Sequence, residues 1–81
     1  MPEATIIPLS AIKSGQEGEV IQIIGGAGVA RKLDALGVRS GKKLRRISSA
    51  SARGPIVFEI DKTQIAVGQG IAQKILVKIK E

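Results

Sequence analysis

The period of the apolar positions changes along this chain, and each change marks an element. From Gly18 to Ile24, Val20, Gln22 and Ile24 share one side while Ile21 and Ile23 share the other, so the segment is apolar on nearly both faces. That pattern predicts a strand with neighbours on both sides. From Ala27 to Leu36 the period lengthens. Val29, Leu33 and Leu36 recur at helical spacing with Ala30 in the same stripe, and Arg31, Lys32 and Asp34 point elsewhere. The spacing predicts one α-helix over about 27–36, with Gly28 an acceptable N-cap and Gly37 the left-handed residue that closes it. About ten residues make a marginal helix in water, so packing must hold it. After a turn at Gly41, Lys42 to Ser49 reads as a strand. Its apolar members Leu44 and Ile47 do not alternate, the mark of a bulge or a twisted edge.

Ser48 to Gly54 is small and polar, a hairpin loop ending at Gly54-Pro55. Ile56, Phe58 and Ile60 then alternate with Val57, Glu59 and Asp61, the clearest half-buried strand in the chain. Asp61-Lys62-Thr63 reads as a tight turn and Thr63 to Val67 as the strand that pairs back. Gly68 to Gln73 makes a kink or helical turn, and Ile75, Val77 and Ile79 finish as an alternating strand. Upstream, Met1 to Ile7 is a lead-in or a first edge strand broken at Pro8. Leu9 to Ile12 forms a single turn burying Leu9 and Ile12, and Lys13-Ser14-Gly15-Gln16 a turn served by Gly15. Five or more short strands with one helix between the first two fit a mainly-β fold. It is read as a small, partly open SH3-like barrel of five to six strands, because closing the sheet removes most exposed edges.

With 81 residues there is room for one domain, 1–81, and one core. Ile and Val dominate the apolar set and Phe58 is the single aromatic residue, so the core is aliphatic with Phe58 expected at its centre. The chain has no Cys, which excludes disulfides and thiolate metal sites. It has no His, the usual general base and the commonest neutral metal ligand. No apolar run approaches the length of about 18 residues that a membrane span needs, and Met1-Pro2-Glu3 lacks the basic start of a signal peptide. A soluble intracellular protein is expected.

Thirteen Lys and Arg against seven Asp and Glu give a net charge of +6. Arg39, Lys42, Lys43, Arg45 and Arg46 fall close together, either as a solvated strand face or as a surface for nucleic acid, anionic lipid or an acidic protein. Nucleic-acid binding through Arg39 to Arg46 is the main alternative function. Single-strand readers lean on aromatic stacking, and a chain with no Trp or Tyr lacks that platform. Capture of proline-rich peptides in an aromatic groove fails on the same ground. Gly25-Gly26-Ala27-Gly28 precedes the helix, where amides can cradle an anion. It matches neither phosphate fingerprint: no Gly-Lys-Ser/Thr follows, and position 31 is Arg where a dinucleotide motif wants glycine. A tight strand-to-helix connection is the better reading. Glu17 with Glu19, and Glu59 with Asp61, form alternating pairs that offer a hard cation too few ligands, so no metal site and no cofactor are expected. Ser10, Ser14, Ser40, Ser48, Ser49 and Ser51 lack a His partner, and no enzyme activity is expected.

One order of signals spans the chain from Leu9 to Val77. It runs Leu9-Ser10, Gly15-Gln16-Glu17-Gly18 before Val20, Gly25-Gly26, and Leu33-Asp34-Ala35-Leu36-Gly37-Val38 with Gly41. Gly54-Pro55-Ile56, Ile65-Ala66-Val67-Gly68 and Ala72-Gln73-Lys74-Ile75-Leu76-Val77 complete it. In that order and spacing the chain resembles the FeoA family, the small ferrous iron transport protein A. The resemblance implies an SH3-like barrel with an inserted helix. It implies a non-enzymatic accessory role in ferrous iron uptake, with a membrane ferrous iron permease bearing a GTP-binding domain as partner. It also implies a cytoplasmic location, at the inner membrane through that partner. A similar barrel forms the C-terminal domain of some iron-dependent repressors, a role disfavoured where no winged helix precedes the barrel. On this reading Arg31, Lys32, Arg39, Lys42 and Lys43 form the partner-binding surface, and Gly25, Gly26, Gly37 and Gly41 are structural.

Overall fold

The computed structural model describes residues 4–47 and 54–80. In chain order the elements are β1 (Ala4–Pro8), a 3-10 turn (Leu9–Ala11), β2 (Glu17–Ile23), α1 (Gly26–Ala35), β3 (Lys43–Arg46), β4 (Ile56–Ile60), β5 (Thr63–Val67), α2 (Gln69–Ala72) and β6 (Ile75–Lys80). The strands form one sheet, ordered β1-β6-β2-β3-β4-β5 and antiparallel throughout. β1 and β5 are its edges, so the barrel is partly open. This is the mainly-β, helix-bearing architecture that the hydrophobic pattern predicts. Because Ala4–Pro8 is itself a strand, α1 follows the second strand rather than the first. The hairpin loop expected over Ser48 to Gly54 lies, apart from Gly54, outside the described residues.

β4 and β6 build the core by simple alternation: Ile56, Phe58 and Ile60 on one, Ile75, Val77 and Ile79 on the other, are all buried. Phe58 is fully buried (0%) and is the largest side chain in the cluster. Leu9 and Ile12 from the 3-10 turn, and Leu33 and Val38 from the helix and its exit, join the same core. At the β4–β5 hairpin, Asp61 (φ 51°) and Lys62 (φ 66°) both take the left-handed conformation, the turn geometry whose twist matches the flanking strands.

Two strands depart from the expected pattern. In β2, Val20 opposes Val77 on β6 but Gln22 opposes Leu76, so Ile21 is an extra residue, a β-bulge. The bulge flips the parity beyond it. Val20 is buried and Ile23 packs on the core, but Gln22 and Ile24 are exposed, so the expected common face of Val20, Gln22 and Ile24 is broken. In β3 no bulge occurs: Arg46 opposes buried Phe58 and occupies the inward slot that alternation after Leu44 reserves. Its guanidinium donates to the Ile12 carbonyl, and its backbone carbonyl and N–H bond Gly15 (2.7 Å) and Gln16 (3.1 Å). A cation at an inner position, tied to the adjacent turn, is why Leu44 and Ile47 do not alternate.

α1 starts one residue earlier than predicted, with Gly25 (φ 113°) rather than Gly28 as N-cap. It ends as predicted at Gly37, φ +90°. There the Val38 N–H reaches the Leu33 carbonyl (2.8 Å) and the Gly37 N–H the Asp34 carbonyl (2.9 Å), satisfying two carbonyls of the last turn. Val38 and Leu33 are both buried.

Candidate functional site

The apolar stripe of α1 is only half covered. Leu33 is buried and Val29 half-buried, but Leu36, predicted as part of the buried stripe, is 51% exposed. Each flank of α1 opens onto its own concavity.

One flank holds a shallow depression of about 550 Å³ walled by Ile21, Ile23, Ala30 and Val38, with Arg31, Asp34 and Arg39 at its rim. Arg39 Nε lies 3.1 Å from Asp34 Oδ1, an exposed pair and so worth little to stability. The Ser40 hydroxyl donates to the carbonyl of Ile21, the bulge residue, at 3.3 Å. On the other flank, an open groove of about 760 Å³ separates α1 from β5 and α2. Val29, Leu33 and Leu36 form its helical wall, Ala66, Val67 and Ile71 face them, and Lys32 also lines it. A Cβ at Gly25, which lines the same groove, would lie 3.1 Å from Lys74 Cδ and 3.7 Å from Lys74 Nζ. The lysine therefore reaches the Gly25 end of the groove, and the glycine lead-in is a close approach of side chain to backbone.

The five cations proposed as a partner surface are thus divided. Arg31 and Arg39 meet at the first depression, Lys32 lies in the groove on the opposite flank, and Lys42 and Lys43 belong to the approach and start of β3. Lys42 Nζ is 2.8 Å from Asp61 Oδ2, and Arg45 Nη2 is 2.9 Å from Glu59 Oε1. Arg31, Lys32, Lys43 and Lys74 form no ion pair among the described residues. The strand register explains the division. Arg45 lies opposite Glu17 on one side and Glu59 on the other, and Glu19 lies between Lys43 and Lys78. Charges alternate along these rows of the outer face, which favours cross-strand attraction.

Of the two carboxylate pairs considered for a cation, Glu59 and Asp61 each hold a cationic side chain instead, while Glu17 and Glu19 lie opposite Arg45 and Lys43 in the sheet. Among the described residues no three His, Cys, Asp or Glu side chains gather to hold a metal ion, and no helix is long and apolar enough to cross a membrane. Gly25 (φ 113°), Gly26 (87°), Gly37 (90°) and Gly41 (93°) all take backbone conformations that favour glycine. Sequence reasoning missed Ala66, Ile71 and Lys74 as groove residues. No periodicity marks them, because a groove between a helix and a sheet edge is assembled from distant segments.

These features define a small SH3-like β-barrel with one full helix inserted between β2 and β3. The chain belongs to the FeoA family: the FeoA domain model matches residues 7–79. A Methanocaldococcus jannaschii protein provisionally named Fe(2+) transport protein A is 35% identical over 74 residues, 91% of this chain and 88% of that one. A crystal structure of an iron uptake regulatory protein, FeoA, superposes with a TM-score of 0.83 at 30% identity, covering 93% of this chain and 99% of that chain. A manganese-dependent transcriptional repressor contains the same fold, with a TM-score of 0.80 at 26% identity; all of this chain aligns to 44% of that one.

Proposed function

We propose that this protein is a non-enzymatic accessory protein of ferrous iron uptake that docks on the cytoplasmic, GTP-binding part of a membrane ferrous iron permease. The observation that carries this reading is the FeoA match over residues 7–79, joined by a relative named for Fe(2+) transport. In this role the protein works at the cytoplasmic face, held at the inner membrane by its partner, and the iron is the permease's cargo. Docking uses Arg31, Lys32, Arg39, Lys42 and Lys43. Arg31 and Lys32 contribute most because neither is engaged with a carboxylate among the described residues, and Lys43 adds to them. Arg39 and Lys42 exchange Asp34 and Asp61 for acidic groups of the partner.

Nucleic-acid binding through Arg39 to Arg46 is not favoured. Arg46 is bonded to Ile12 on the inner side of the sheet, and Phe58, the one aromatic residue of the chain, is fully buried, which leaves no platform for base stacking. The test is a pull-down with the permease's soluble cytoplasmic domain at moderate salt, together with iron uptake in a deletion strain. Association and impaired uptake are expected; no association and normal uptake would overturn the proposal.

A further inference from the structure

The groove between α1 and β5 has the makings of a peptide site, and it shares only Lys32 with the surface proposed for the permease. β5 is an edge strand, paired among the described residues with β4 alone. The two-residue loop Asp61-Lys62 closes on Ile60 and Thr63, and the hydrogen-bonded pairs then alternate down the hairpin. Ile65 and Val67 therefore spend their backbone groups on β4, whereas Gln64 and Ala66 direct theirs to the open edge. Ala66 is exposed and lines the groove, so unpaired backbone donors and acceptors run beside an apolar trough. Across the trough stands the uncovered part of the helical stripe, with Leu36 51% exposed. The charge around it has one sign. Lys32 lines it and Lys74 reaches its Gly25 end, both without an ion pair among the described residues, and no carboxylate lines it.

We infer that this groove binds an extended, acidic peptide segment of a partner protein, which adds to β5 as a further strand. Backbone bonds form to Ala66, alternate apolar side chains seat against Val29, Leu36 and Ile71, and a carboxylate meets Lys32 or Lys74. A second copy of the chain fits less well. Each copy carries a net charge of +6, and β5-to-β5 pairing would bring the lysines of two grooves to one seam. Its other free edge, β1, ends in Pro8, which has no N–H to give.

The test is selection of displayed random peptides of about eight residues, strand length with flanks, against the whole protein. Enriched peptides are synthesised and their affinities measured by fluorescence polarisation. The expected result is a consensus of alternating apolar residues with acidic ones, bound about tenfold or more weakly by Ala66→Pro and by Leu36→Glu. Proline at Ala66 removes an outward N–H while leaving the β4 ladder intact. Leu36→Glu alters an exposed site and keeps the test alive should the proline variant not fold. An empty selection, a basic or aromatic consensus, or binding that survives Leu36→Glu would overturn the inference. So would a dimer in sedimentation velocity that Leu36→Glu dissolves, since the groove would then belong to a second copy.

Discussion

Around β3, Arg45 meets Glu59 at 2.9 Å, Lys42 meets Asp61 at 2.8 Å and Arg46 turns inward to the Ile12 carbonyl. On α1, Arg31 and Lys32 meet no carboxylate among the described residues, and the apolar stripe beside them is left half open. The strand is the denser cluster in sequence, yet more of its cations are engaged within the molecule. A strand inside a sheet has two neighbours whose register places side chains directly opposite, so a charge such as Arg45 is readily matched, although Lys43 on the same strand forms no ion pair among the described residues. A helix resting on one side of a barrel has solvent on its remaining faces, and its charges stay available. Charge density along a sequence is therefore a poor guide to potential at a surface until the register is known.

Substitutions at three positions and one double-mutant cycle break or sharpen this comparison, in falling order of effect. Phe58→Ala removes the packing on which both regions rest. The loss should be about 3–5 kcal/mol in chemical denaturation, from lost transfer energy and a cavity. A loss under ~1 kcal/mol would mean that the core does not centre on this residue.

Arg46→Ala tests whether the strand's inward cation is structural. Ile12 loses a charged donor, and stability should fall by about 1.5–3 kcal/mol, with Arg46→Met recovering part of it through packing. Urea midpoints unchanged in Arg46→Ala would return this side chain to the exposed basic surface.

Gly37→Ala strains the turn that ends α1. No heavy atom lies within 4 Å of the added Cβ, so the cost is conformational, about 1–2 kcal/mol at a φ of +90°. Gly37→Asn should be milder, since Asn enters that region more readily. Equal thermal midpoints for Ala and wild type would contradict the left-handed cap.

The smallest effect is the most specific to the comparison. A double-mutant cycle on Arg45 and Glu59 should give a coupling of about 0.2–1 kcal/mol that shrinks in high salt. Zero coupling at low salt would mean that the strand's cations remain as free as those of the helix.

Much of the fold was legible in the sequence, and the exceptions have local causes. The alternation of Ile56, Phe58 and Ile60 identified β4, and Gly37 marked the helix end, because each signal lies within a few consecutive residues. The bulge at Ile21 was hidden, since it shows only as a register difference against β6, a strand more than fifty residues away. The mismatch of Leu44 and Ile47 is visible in the sequence as the mark of a bulge or a twisted edge, but its cause, Arg46 filling an inner position, shows only in the register against Phe58. The candidate site was less legible still. Leu36 sits on the apolar stripe like Leu33, yet whether the stripe is covered depends on where distant segments such as Ala66 to Ile71 lie. The pairing of Lys42 with Asp61 and Arg45 with Glu59 likewise depends on register, which composition does not carry.

Whether recognition belongs to the helix or to the strand is tested most directly by calorimetric titration of the permease's soluble cytoplasmic domain into three proteins: wild type, Arg31→Glu/Lys32→Glu, and the swap Arg45→Glu/Glu59→Arg. The swap keeps an ion pair at these two positions with its charges exchanged, while setting a second carboxylate opposite Glu17. The helix variant should bind about tenfold or more weakly, and the swap should stay within ~threefold of wild type. A swap that abolishes binding while the helix variant binds like wild type would contradict the division drawn between the two regions.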